Sequence, residues 1–176
     1  GIGGGVVIDG KLYRGDSGYA GDLGHVPAVV GGESCSCGRR GCLSTVAASW
    51  AIIGRLVPRH GAITIGRVLE LAAAGDEGAV SALREAGSHA GRSLSGVVSA
   101  LNPAQLVLGG EVGAHSLDFL DAMAAELSAN LLETTAQAVR VVHAALGDRS
   151  QVLGASARVV RDEERMRAFM AAVRTT

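Results

Sequence analysis

The chain has 176 residues, of which 48% are apolar, 19% charged and 3% aromatic, with 16 basic side chains against 17 acidic ones. That size and apolar fraction suit one compact domain, or a lobe of a larger one, and exclude a disordered chain. A formal net charge of −1 leaves no basic footprint for nucleic acid. Arg, Asp, Glu or Gly interrupts every apolar run before the roughly 18 to 20 residues that a membrane span needs, so no membrane partner is expected. The opening Gly1-Ile2-Gly3-Gly4-Gly5 lacks an initiator Met and the parts of a secretory signal, which reads as a fragment of a soluble, cytoplasmic protein.

The first 42 residues are Gly-rich and hold all three cysteines, whereas the remainder is mostly Ala, Leu and Val at helical spacing. Val6-Val7-Ile8 and Lys11-Leu12-Tyr13, joined by Asp9-Gly10, predict a β-hairpin. Helical spacing from Leu43 to Leu56 predicts a helix that Pro58 ends. Thr64 is a candidate N-cap for a helix through Val68, Leu69 and Leu71 that stops near Gly75. Asp76 caps a longer one, whose apolar positions run from Val80 through Leu83, Ala90 and Leu94 to Leu101 before Asn102-Pro103.

Gly87, Gly91 and Gly96 inside that helix predict close backbone packing against a neighbour. Gln105-Leu106-Val107-Leu108, followed by Gly109-Gly110, reads as a buried strand. A helix from about Ser116 to Leu132, a strand at Val139 to Val142, and helices around Val152 to Val160 and Glu163 to Val173 complete an α/β order, whose long crossovers favour parallel pairing.

Three cysteines within eight residues suit neither a disulfide framework nor scattered core roles. With His25 they form H-x9-C-x-C-x4-C, comprising His25, Cys35, Cys37 and Cys42. Three thiolates and an imidazole make a closed tetrahedral set that fits zinc, with Gly38 and Gly41 letting the loop bend back. Four protein ligands leave no position for an activated water, so the ion would be structural. The plainer alternative is a set of idle thiols beside an unrelated His.

Gly21-Asp22-Leu23-Gly24-His25 places a carboxylate three residues before the proposed ligand. Asp22 either accepts hydrogen bonds from sugar hydroxyls, with the second nitrogen of His25 serving another, or caps a turn. The opening glycines, Gly3 and Gly4 among them, can bring backbone N–H groups up to a phosphate or simply turn the chain. Gly109 and Gly110 have the same two readings, a ligand crevice at the end of a strand or a strand-to-helix turn, and Glu111 beside them would repel a nucleotide. His60, His89, His115 and His143 show no ligand spacing. Trp50, Tyr13, Tyr19, Phe119 and Phe169 are too few for a single-stranded nucleic-acid platform, and no Ser-His-Asp set or GxSxG elbow is present.

These residues resemble the ROK family of repressors, open reading frames and sugar kinases. The resemblance rests on the Gly-rich opening with its Asp9-Gly10 hairpin, Gly21 to His25, the block from Cys35 to Leu43, Asn102-Pro103 to Gly109-Gly110, and Leu146-Gly147-Asp148 with Gly154-Ala155. It implies an actin-like ATPase fold of the hexokinase and ribonuclease H-like type, and places residues 1–176 in its C-terminal lobe, with a zinc loop at 25–42 and a helical body at 43–176. It also implies zinc on His25, Cys35, Cys37 and Cys42 and sugar contacts from Asp22 and His25. The N-terminal lobe, which carries the catalytic base in the kinases and follows a DNA-binding head in the repressors, would lie outside this chain, so no catalytic residue is assigned.

ROK kinases usually have Glu at the position of Asp22 and another sugar-binding Glu at that of Ser44. The shorter carboxylate and the missing one compromise sugar positioning for phosphoryl transfer. The expectation is therefore the sugar-sensing and oligomerisation lobe of a ROK transcriptional regulator, most simply a repressor. Its effector would be a sugar or sugar phosphate, DNA would be reached only through a missing domain, and the assembly would be a homodimer or homotetramer. An ATP-dependent sugar kinase of the glucokinase or N-acetylhexosamine type is the alternative.

Overall fold

A computed structural model describes residues 1–161 in two compact units, the first running from Gly1 to His143 and the second beginning at Ala144. No helix among the described residues is long and apolar enough to cross a membrane.

The first unit opens with the expected hairpin. β1 (Val6–Ile8) pairs antiparallel with β2 (Lys11–Tyr13), Val6 opposite Tyr13 and Ile8 opposite Lys11. Asp9 and Gly10 both take positive φ, 52° and 73°, as a two-residue turn matched to strand twist requires. A long loop with one 3₁₀ turn at Leu23–His25 follows and carries all three cysteines.

Helical structure begins at α1 (Ser44–Ala47) and continues as α2 (Ser49–His60). The single helix expected from Leu43 to Leu56 is thus divided, because Ala48 is extended at ψ 154°. Pro58 does not end α2. It lies in the last turn, where a proline removes one backbone donor, and the helix closes only at Gly61, whose N–H donates to the Val57 carbonyl at 2.8 Å with φ at +69°.

α3 (Ile65–Ala73) and α4 (Glu77–Leu101) start where their caps predict. Thr64 accepts from the N–H of Arg67 at 3.2 Å, and Asp76 from that of Ala79 at 2.9 Å. Asn102 ends α4 in the left-handed conformation ahead of Pro103.

β3 (Gln105–Leu108) pairs parallel with β4 (Arg140–His143), Leu106 opposite Val141 and Leu108 opposite His143. Between them lie α5 (Gly110–His115), α6 (Leu117–Ala129) and α7 (Glu133–Ala138). The sequence reading merged α5 and α7 into turns because each has only six residues, too few to display a helical period. Nor is β3 buried as its apolar run suggests. Gln105 and Val107 are exposed while Leu106 and Leu108 pack against the core, because alternate residues point to opposite faces and only one face is covered by the described residues.

The core lies between α1 to α4 and α6. Leu43, Ile52, Leu56, Val68, Leu83 and Met123 are almost fully buried there, and each large side chain contributes roughly 1.5 to 3 kcal/mol of transfer free energy. α4 lies hard against α6. At Gly87 and Gly91 an added methyl would run into the carbonyl oxygens of Phe119 and Met123 respectively, so two of the three glycines do mark close approach. Gly96 does not: open space surrounds it, because it lies on the exposed face of α4 while its neighbours Leu94 and Val98 are buried. Exposed ion pairs Arg84–Asp118 at 2.9 Å and Arg92–Glu126 at 3.0 Å flank the contact.

In the second unit a 3₁₀ turn at Gly147–Arg149 leads into α8 (Ser150–Arg161), and Ser150 Oγ donates to the Gly147 carbonyl at 2.6 Å. The helix expected at Glu163 to Val173 lies outside the described residues.

Candidate metal centre and the adjoining cleft

The loop from His25 to Cys42 is folded by backbone hydrogen bonds rather than by a hydrophobic core. The N–H of Cys35 donates to the Arg39 carbonyl at 2.8 Å and that of Gly38 returns to Cys35 at 3.0 Å, which makes a tight turn around Cys37. Gly41 donates to Glu33 at 2.8 Å and accepts from Ala28 at 2.8 Å, while Leu43 donates to Val26 at 2.9 Å. These bonds draw the last cysteine back beside His25. Gly41 can be nothing larger, because it sits at φ +68° and a side chain there would strike the Val29 carbonyl.

The result is a set of four donors from one short segment. One ligand atom each from His25, Cys35, Cys37 and Cys42 lies within 4.8 Å of all the others, and no second group of metal-ligating side chains occurs among the described residues. Cys35 Sγ is 3.4 Å from His25 Nδ1, and Cys37 Sγ is 3.6 Å from Cys42 Sγ. A tetrahedral ion held by sulfur at about 2.3 Å spaces its ligands by about 3.8 Å, so the donors fit such an ion with little movement. Soft thiolates with one imidazole suit a zinc-like ion and not a hard one.

The electrostatics are graded across the set. The backbone N–H of Arg39, and after it the guanidinium, draws the exposed Cys37 thiol down to about 6. Burial, and after it the neighbouring Cys37 and Cys35 sulfurs, pushes Cys42 up to about 11. Were all three sulfurs ionised, a cation among them would offset their mutual repulsion. Since all four donors come from the protein, the ion would hold the loop and leave no position for reactive water.

His25 belongs to two sites. With Nδ1 turned to Cys35, its Nε2 remains for another partner, and the same ring lines an open cleft of about 460 Å³. Ile2, Cys35, Ser44 and Trp50 form other walls, and Ser34 and Ser36 add hydroxyls. Ser44 is buried, whereas Trp50 is 56% exposed.

The remaining candidates are not gathered there. Asp22 is exposed at the start of the 3₁₀ turn, makes no capping hydrogen bond, and has the Arg39 guanidinium in its field. Gly4 donates to the Gly21 carbonyl at 2.8 Å, so the opening glycines pack on the 21–24 turn. Gly109 and Gly110 form the strand-to-helix turn between β3 and α5, with Gly110 at φ +75°. Gly3, Gly4, Gly109, Gly110 and Asp22 do not line the cleft, whereas Gly1 does. Sequence reasoning missed Ser34, Ser36 and Trp50 as wall residues. For Trp50 the available signal was that it is the only tryptophan, eight residues after the last cysteine.

The family model of the ROK family matches residues 1–162. The chain belongs to the ROK family. It is 30% identical over 160 residues to the xylose repressor of Bacillus subtilis, an alignment covering 91% of this chain and 42% of the repressor. It is also 30% identical over 172 residues to the DNA-binding transcriptional dual regulator NagC of Escherichia coli, covering 92% of this chain and 42% of that protein. Among solved structures, a ROK glucokinase from Streptomyces griseus in complex with glucose and AMPPNP superposes with a TM-score of 0.75, at 28% identity over 87% of this chain and 55% of that one. This ROK chain therefore spans about half the length of its relatives or less, and shares the α/β fold of the family's sugar kinases.

Proposed function

We propose that this chain is the sugar-binding lobe of a ROK transcriptional regulator, with zinc on His25, Cys35, Cys37 and Cys42 holding the loop that presents the sugar site. The observation that carries the reading is the double membership of His25, one ring nitrogen facing the thiol cluster and the ring lining the cleft. An ion fixing Nδ1 orients Nε2 toward a ligand hydroxyl, as outer-shell hydrogen bonding does for metal-bound imidazoles. Asp22, on the same turn but outside the cleft wall, would reach only the part of a sugar that extends beyond the cleft.

Ser44 favours regulation over turnover. It lines the cleft with a hydroxyl where the resemblance to ROK kinases leads one to expect a carboxylate, so the site can bind a sugar without the anchoring that in-line transfer needs. Sugar binding would then bias two arrangements of this lobe and an N-terminal one, and through them DNA-binding heads on a homodimer or homotetramer. The similarity to two regulators supports this reading.

A kinase is the second reading, favoured by the likeness to a glucokinase solved with a nucleotide analogue and by Gly109 and Gly110 at the end of β3. Calorimetric titration with D-xylose, D-glucose and N-acetyl-D-glucosamine, beside an ATP-coupled turnover assay on the full-length protein with both lobes, separates them. Binding without ADP release is expected; sustained ADP release would establish the kinase instead.

A further inference from the structure

We propose that Trp50 is the stacking surface on which an uncharged pyranose ring lies in the cleft beside His25, an inference that rests on the sugar-binding reading above. Trp50 stands in the first turn of α2, whose inward residues Ile52 and Leu56 are 0% and 4% exposed. The helix is therefore anchored without it, and the indole, 56% exposed, contributes little to the core. A large flat apolar side chain held on a rigid element at the wall of a cleft is disposed for a ligand with a flat apolar face.

The other walls restrict what that ligand is. His25, Ser36 and Ser44 offer an imidazole nitrogen and hydroxyls, which pair with neutral hydroxyl groups. No Lys, Arg, Asp or Glu side chain lines the cleft among the described residues, so apart from His25 its side chains favour a neutral ligand over a phosphate or a carboxylate. One apolar face and a polar edge of hydroxyls describe a pyranose, whose axial C–H bonds carry partial positive charge toward the negative face of an indole. The volume, about 460 Å³, lies in the roughly 300 to 1,000 Å³ range of small-molecule sites.

Because Trp50 is the only tryptophan, intrinsic fluorescence reports on this one position. The test uses the zinc-loaded whole chain, titrated with D-xylose, D-glucose, N-acetyl-D-glucosamine and D-glucose 6-phosphate by calorimetry and by fluorescence. At least one neutral sugar should bind with a saturable change in emission. Trp50→Ala should weaken it roughly tenfold or more, and Trp50→Phe, which keeps an aromatic face, by clearly less. Zinc content and melting temperature should be unchanged in both variants.

A neutral sugar that binds with no emission change and equally well to Trp50→Ala overturns the stacking role and leaves the sugar-binding reading standing. Tighter binding of the 6-phosphate than of every neutral sugar overturns the assignment of an uncharged ligand. If none of the four binds the wild-type chain, the sugar-binding reading fails and the role of Trp50 with it.

Discussion

Gly91 of α4 lies directly beneath the carbonyl oxygen of Met123 in α6, with no room between them for a methyl group. Gly87 meets the Phe119 carbonyl in the same way one turn earlier, so two glycines four residues apart set how near the two helices come. Alanine at Gly91 must push α6, with its buried Met123 and Leu127, away from α4. Gly91→Ala should therefore cost about 1 to 3 kcal/mol despite the better helix propensity of alanine. Gly96→Ala, with open space around it, should be neutral or stabilising by up to about 1 kcal/mol. Urea unfolding of the two variants checks the contrast, and equal effects would mean that α4 and α6 do not approach as described.

The thiol cluster makes a separate prediction. Cys37 is exposed and contributes little packing, so its contribution to stability should come through the ion. Cys37→Ser should lower zinc content and thermal stability together, the latter on the order of 2 kcal/mol, or roughly 4 to 8 °C. A chelator should reproduce the loss in the wild-type chain and add little in the variant. A variant that keeps a full equivalent of zinc and its melting temperature removes Cys37 from the site.

Asp22 separates ligand binding from metal binding. Its carboxylate is exposed and makes no hydrogen bond to the backbone of its own turn, so removing it should leave the loop intact. Asp22→Ala should weaken the bound sugar by roughly ten- to a hundredfold, as loss of a charged hydrogen-bond acceptor does, with zinc retained. Calorimetry beside metal analysis tests both halves, and unchanged affinity takes Asp22 out of the site.

How far the sequence revealed this arrangement depended on whether the signal was local. The Thr64 and Asp76 caps and the Asp9-Gly10 turn are written in a few adjacent residues and appear where the residues place them, and His25, Cys35, Cys37 and Cys42 come together as their spacing suggested. Features set by what lies opposite a residue were harder. Gly87 and Gly91 share one face of α4 and Gly96 falls on another, but which face meets α6 is set by the packing. The apolar run of β3 suggested burial on both faces, but exposure depends on which faces other elements cover. The cleft was the least legible, since Ile2, Ser44 and Trp50 meet His25 only once the loop has folded back through Gly41.

Acid should expose the cap of α4. Asp76 accepts from the N–H of Ala79, which is the main reason its carboxyl is held below the ordinary value of 3.8, and Arg59 and His60 add to the effect. Oδ2 of Asp76 lies 3.8 Å from Arg59 and 3.5 Å from His60, so the same side chain ties the end of α2 to the start of α4. A depressed native pKa means that the unfolded chain takes up the proton first as acid is added. The stabilisation from this carboxylate is thus complete well above 3.8 and is lost as the pH falls through the lower native value. Asp76→Ala should melt a few degrees below wild type at pH 7. The gap should stay constant down to about pH 5 and narrow below the ordinary carboxylate range, because there the wild-type cap is itself protonated. Melting curves of both proteins between pH 2.5 and pH 7, chosen as roughly two units either side of the transition, provide the check, and a gap that persists undiminished at the acid end would show that charge on Asp76 plays no part in holding the helix.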